Sequence, residues 1–235
     1  MDVADIGSDF SMSTPSVLYE DNHVIALFKP SGLLTQGDHS SRPSLLEVTR
    51  EFLKRKYSKP GNVFVGLIHR LDFAAMGVVV LAKTSKGASR LSEQFRSRTV
   101  TKTYLALVEG APPQPSGELR DFLKTDLPPV RVVAEGTQGA QLAVTQYETQ
   151  KQGKKRSLLK VQIETGRKHQ IRAQLSHLGT PIVGDIRYGA VSSLGDDRIG
   201  LVGYELSFLK STDQSQLIRV RAPQLVENYF MENVI

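Results

Sequence analysis

The sequence predicts an α+β fold, rich in strands with single helices set between them. Three observations carry this. Apolar runs of strand length with β-branched enrichment recur, as at residues 63–68 and 78–82. Two pairs of runs, 17–19 with 24–28 and 140–149 with 157–164, are joined by short polar segments in the manner of hairpins. Helical signals with identifiable caps begin near Leu45, Ser85 and Lys168.

The elements follow in order. Residues 1–15 lack apolar surface and carry Asp2, Asp5 and Asp9 with no Lys or Arg, so they are expected to form a disordered acidic arm and not a signal or transit peptide. The first hairpin turns at Glu20-Asp21-Asn22-His23, and Lys29-Pro30-Ser31-Gly32 ends it. Ser44 can cap a helix over 45–57, with Leu46, Val48, Phe52 and Leu53 roughly on one face. Thr84 or Ser85 can cap a second helix to about Ser97, whose stripe is Ala88, Leu91 and Phe95. Arg96 falls near its C-terminal end, where a cation is favoured.

Residues 100–109 alternate, with Tyr104, Ala106 and Val108 on one face and Thr103, Leu105 and Leu107 on the other. A Pro-rich break at 111–117 opens a segment to 139 that reads as a loop-rich insert, a place where substrate specificity can reside. The second hairpin turns at the basic segment 151–156. Residues 168–178 read as a helix closed by Gly179, with Pro181 just beyond. Ile171, Leu175 and Leu178 mark its buried face, while His169, Arg172 and Ser176 share another.

Length and composition suit one large domain over 16–235. With no Cys, the chain has no disulfide, no Cys-based zinc site and no thiol catalysis. No apolar run approaches the ~18 residues of a membrane span, so no membrane partner and a cytoplasmic location are expected. The net charge of +6 is unevenly spread: residues 1–22 hold five acids and no Lys or Arg, whereas 151–172 hold eight bases against Glu164 alone, and 83–102 six against Glu93. Such blocks suit a polyanion, since each phosphate neutralised releases condensed counterions. A solvated surface is the plainer reading of any charge run.

The segment that points to chemistry is Ile68-His69-Arg70-Leu71-Asp72, followed by Gly77 and an apolar run ending Ala82-Lys83. It sets an acid in a polar turn between two strand-like runs. Taken alone, Asp72 is more simply a turn residue bonding nearby backbone N–H groups. Further blocks accompany it in order: 17–34 ahead, Lys102-Thr103-Tyr104-Leu105-Ala106-Leu107-Val108, Gly166-Arg167-Lys168-His169-Gln170-Ile171-Arg172, and Gly179-Thr180-Pro181-Ile182-Val183-Gly184-Asp185-Ile186-Arg187-Tyr188-Gly189. Together they resemble the RNA pseudouridine synthases of the RluA type, from about Val17 to Gly189. The tail beyond Gly189 matches none of these blocks. One departure stands out: where the family usually has a Thr-Ser pair after the acid, this chain has Ala75-Met76.

The resemblance implies a mixed, mainly antiparallel β-sheet with flanking helices around a central cleft. It also implies isomerisation of uridine to pseudouridine in ribosomal or transfer RNA, by a monomer without cofactor. No N-terminal RNA-binding domain is expected, since sixteen residues precede Val17. Asp72 is then the catalytic carboxylate, Arg172 the arginine that pairs with the acid, and Tyr104 the tyrosine that stacks on the uracil. Arg70 resembles the residue that fills the space left by an extruded base. Arg167 and Lys168 are better read as phosphate contacts, joined by Lys154, Lys155 and Arg156. His69 and His169 are read as structural or RNA-contacting and not as metal ligands, because neither has a helical partner in a zinc-like arrangement. Two other readings compete: an RNA-binding homologue that has lost turnover and serves as an assembly or chaperone factor, and a metal-dependent nuclease, for which Asp185 is the only further motif acid.

Overall fold

The computed structural model describes residues 15–126, 128–195 and 198–235. In chain order its elements are β1 (Ser16–Glu20), β2 (Val24–Lys29), α1 (Leu45–Lys56), β3 (Gly66–Leu67), β4 (Met76–Ala82), α2 (Ser85–Arg96), β5 (Thr101–Glu109), β6 (Ser116–Lys124), β7 (Arg131–Val133), β8 (Gln141–Gln152), β9 (Arg156–Ile163), α3 (Gln170–His177), β10 (Leu201–Leu209), β11 (Leu217–Arg221) and α4 (Gln224–Glu232), with one 3-10 turn at Ile186–Tyr188. This is the expected α+β class, strands pairing mainly antiparallel with helices between them. The acidic arm predicted at 1–15 lies, but for Pro15, outside the described residues.

One domain is the sequence expectation; the chain divides into two compact units, Met1–Val100 with Gly203–Pro223, and Thr101–Val202 with Gln224–Ile235. The Pro-rich stretch 111–115 joins β5 to β6 within the second unit.

In the first unit β2 lies antiparallel to both β1 and β4, with Val24 opposite Ala82 and Lys29 opposite Gly77. Every residue of β2 and β4 is buried, which is why these strands read as continuous apolar runs instead of alternating ones. β11 pairs with β10. α1 starts with a capping box in which the Ser44 hydroxyl accepts from the Glu47 N–H and the Glu47 carboxylate accepts from the Ser44 N–H. α2 is capped by Thr84, whose oxygen accepts from the Gly87 N–H. The strand expected over 63–68 shrinks to two paired residues. A Cβ at Gly66 would stand 3.3 Å from the methyls of Ala82 and Ala88, and Phe64 is exposed. Gly77 has a backbone reason to be glycine: its φ is +134°, and a Cβ would stand 2.4 Å from the Gly203 backbone.

The second unit is an antiparallel run in the order β5-β9-β8-β6-β7. Its second hairpin is as predicted. The loop-rich insert expected at 111–139 is corrected: it contributes β6 and β7 at the edge of this run. β6 is half-exposed and reads Ser-Gly-Glu-Leu-Arg-Asp-Phe-Leu-Lys, so it lacks the apolar alternation that marks an amphipathic strand. α3 packs against β6 and β7. Leu123, Val130, Ala143, Ala173 and Tyr188 form a common core there. β10, β11 and α4 lie beyond Gly189, where the sequence reading assigns no element.

Candidate active site

Asp72 stands on the turn between β3 and β4, half-buried, with Leu71 and Ala75 buried on either side. Four successive carbonyls of this turn are taken up. That of Leu71 accepts from the Thr35 hydroxyl at 2.7 Å, that of Asp72 from the Ala75 N–H at 3.2 Å, that of Phe73 from the Gly32 N–H at 2.9 Å, and that of Ala74 from the Ser31 hydroxyl at 2.7 Å. The Thr35 oxygen also accepts from the Leu71 N–H at 3.2 Å. The segment after β2 thus grips the acid-bearing turn from both sides of Asp72. Ala75 and Met76, in place of the Thr-Ser pair, are buried apolar residues.

Lys29 closes β2 with its whole side chain buried, its Nζ donating to the carbonyls of Pro30 at 2.9 Å, Leu33 at 2.8 Å and Phe73 at 3.5 Å. Burial pulls its pKa from 10.5 down to about 7, and the Asp72 charge opposes that fall. The carbonyls favour the ammonium, but full burial outweighs them.

The residues around Asp72 are placed unequally. Arg70 is exposed. The His69 ring stacks on Phe95 with centroids 4.9 Å apart, and its Nε2 accepts from the Val80 N–H at 3.0 Å, so this ring helps hold β4.

In the second unit Arg172 is buried on α3 and bidentate to buried Asp185, with Nε to Oδ2 at 2.6 Å and Nη2 to Oδ1 at 2.8 Å. Its guanidinium lies 4.8 Å over the Tyr188 ring. The Tyr188 oxygen accepts from the Val130 N–H at 3.0 Å and bonds the His169 Nδ1 at 2.9 Å. His169 is the residue before α3, in left-handed conformation at φ 51°. A buried amide network holds the same helix. Gln170 accepts from the Thr165 hydroxyl and the Arg167 N–H, and donates to the Val144 carbonyl. Gln174 accepts from the Thr145 hydroxyl and donates to Asp121. Arg167 is half-buried, its Nε donating to the Leu142 carbonyl, whereas Lys168, Lys154 and Lys155 are exposed and Arg156 is intermediate. Tyr104 is half-buried on β5, opposite Val161.

Sequence reasoning missed Ser31, Thr35, Gln170, Gln174 and Tyr188 as parts of the site's framework, and it named Asp185 for a different chemistry. Lys29 carried a signal, a lysine closing an apolar strand. Among the described residues no group of three or more His, Asp or Glu side chains is arranged to hold a metal ion.

A sequence profile described as RNA pseudouridylate synthase matches residues 23–177, which takes in the Asp72 turn and all of α3. The chain belongs to the RluA-type RNA pseudouridine synthase family. Among its relatives in that family, the ribosomal large subunit pseudouridine synthase D of Xanthomonas campestris pv. campestris is 35% identical over 179 residues, 76% of this chain and 53% of that protein. The dual-specificity RNA pseudouridine synthase RluA of Vibrio parahaemolyticus is 35% identical over 198 residues, 82% of this chain and 76% of that protein. The chain spans about half the length of several of these pseudouridine synthases. In fold it is similar to human RNA pseudouridylate synthase domain containing 4, with a TM-score of 0.75 at 24% identity, covering 92% of both chains.

Proposed function

We propose that this protein isomerises uridine to pseudouridine in RNA, with the Asp72 carboxylate acting at C1′ of the target nucleotide. The observation that carries the reading is the turn bearing Asp72, fixed by hydrogen bonds to four successive carbonyls and lying inside the segment that matches the family. Breaking the C1′–N1 bond builds positive charge at C1′, which a fixed carboxylate stabilises or captures. The uracil then turns, C5 bonds to C1′, the C5 proton leaves and N1 takes one up. Atoms balance without a co-reactant, so no cofactor is needed.

Tyr104 and Arg172 complete the catalytic set in this proposal. Tyr104 stacks on the uracil, and Arg172 is the cation assigned to partner the acid. Asp185 uses two of the five N–H donors that a guanidinium offers. Arg70 fills the gap left by an extruded base, for which unstacking costs a few kcal/mol. Lys154, Lys155, Arg156, Arg167 and Lys168 meet phosphates, with His69 and His169 supporting the surfaces around them. The names of the relatives make ribosomal large-subunit RNA the first substrate to try, with a monomer working in the cytoplasm.

Release of tritium from RNA labelled at uridine C5 tests this. The wild type should release label from ribosomal transcripts, while Asp72→Asn should release none and keep RNA affinity within about tenfold, or ~1.4 kcal/mol. Appreciable release by Asp72→Asn would overturn the assignment. Tight binding without release by the wild type would favour the assembly-factor reading.

A further inference from the structure

We propose that Ser31 and Thr35 are positioning residues for the Asp72 carboxylate, holding from the neighbouring segment a loop that has Ala75-Met76 where the family usually has Thr-Ser. The inference rests on Asp72 being the working acid.

The turn has no hydroxyl of its own between Asp72 and Gly77. Side-chain hydroxyls reach it from outside: Thr35 ties both the N–H and the carbonyl of Leu71, the residue before the acid, and Ser31 ties the carbonyl of Ala74, two residues after it. Thr35 is buried, so its donor and acceptor depend on these partners and not on water.

The gripping segment is itself fixed. Upstream it leaves β2, wholly buried, where the Lys29 Nζ ties the carbonyls of Pro30 and Leu33. Downstream it runs into α1, whose Leu45 and Leu46 N–H groups donate to the carbonyls of Leu34 and Thr35 at 2.7 and 3.2 Å. These are N–H groups of the helix's first turn, which have no partner within the helix, so the segment and the helix start satisfy each other. The hydroxyls therefore stand on rigid supports at both ends. A catalytic side chain must be held within about 0.5 Å of its productive place, and a misplacement of about 1 Å can cost a hundredfold in rate.

Thr35→Val is nearly isosteric and removes both bonds to Leu71; Ser31→Ala removes the bond to Ala74. Single-turnover isomerisation with enzyme in saturating excess reads the chemical step independently of any inactive fraction. Each variant should lose about tenfold or more in that rate constant, with RNA dissociation constants within about threefold. Thr35→Ser, which restores the hydroxyl without the methyl, should recover most of the rate. Wild-type single-turnover rates in Thr35→Val and Ser31→Ala would overturn the proposal, and so would a Thr35→Ser enzyme as slow as Thr35→Val, since packing alone would then be responsible. If Thr35→Val does not fold, the half-exposed Ser31 decides by the same measure. Asp72→Asn run alongside separates the two levels: turnover there removes the underlying assignment, whereas a dead Asp72→Asn beside unimpaired hydroxyl variants removes only the positioning role.

Discussion

Replacing Lys29 with Met should make the stability of this protein less dependent on pH above neutrality. Lys29 titrates near 10.5 in an unfolded chain and near 7 when folded, because burial disfavours its charge. Between those values the unfolded chain binds more protons than the folded one, so the free energy of unfolding rises with pH. Below about 7 both states are protonated and the burial cost is felt in full; above 10.5 neither is protonated and the cost vanishes. From pH 7 to pH 9 the linkage amounts to about 2 kcal/mol, out of about 5 kcal/mol across the whole window. Urea unfolding of wild type and Lys29→Met at pH 7, 8 and 9 reads it as a difference in which all other titrations cancel. The wild type should gain about 2 kcal/mol on the variant over that range, whatever constant cost the variant carries from leaving the carbonyls of Pro30 and Leu33 without a donor. Two curves parallel within roughly 0.5 kcal/mol would refute the reasoning. They would mean that the three carbonyls and Asp72 keep Lys29 a permanent ammonium despite its burial.

Asp185→Asn should destabilise the protein by about 3–5 kcal/mol, since it removes the carboxylate that meets the buried Arg172 guanidinium bidentately; in thermal melts the added change Arg172→Met should restore part of the loss. Ser44→Ala should cost about 1 kcal/mol by denaturant titration, through loss of the α1 capping box. Changing Lys154, Lys155 and Arg156 together to Ala should weaken binding to many RNAs alike and make the log–log salt slope shallower by roughly two to three units; an unchanged slope would mean that these side chains meet no phosphate.

What was legible in the sequence was what local chemistry decides. Ser44 and Thr84 are the N-caps expected, and Gly179, at φ +88°, follows α3 as a closing glycine should. The first hairpin and the β8–β9 hairpin follow from apolar runs around polar turns. What failed has a common cause. β6 is a strand because β8 pairs with it along eight residues, and its charged, half-exposed sequence carries no period of its own. The two-residue β3 fails in the opposite sense: the β-branched run at 63–68 promises a full strand, yet only Gly66 and Leu67 find partners, on β4. Pairing partners come from elsewhere in the chain, so periodicity does not report them.

The candidate site divides along the same line. His-Arg-Leu-Asp and Gln-Ile-Arg can be read locally as an acid in a turn and an arginine on a helix face, and the order of the blocks lifts them above the commoner turn reading. Their supports cannot be read that way. Thr35 meets Leu71 across 36 positions, Ser31 meets Ala74 across 43, and Asp185 meets Arg172 across 13. The absent Thr-Ser pair shows what this costs an inference from motifs alone: judged by the loop, Ala75-Met76 looks like a loss of stiffness, yet the hydroxyls that grip the loop sit on the segment between β2 and α1. A departure from a family pattern next to a catalytic acid is therefore better weighed against the hydrogen bonds that reach the loop from outside than against the residues it lacks. Here those bonds leave none of the four carbonyls from Leu71 to Ala74 without a donor.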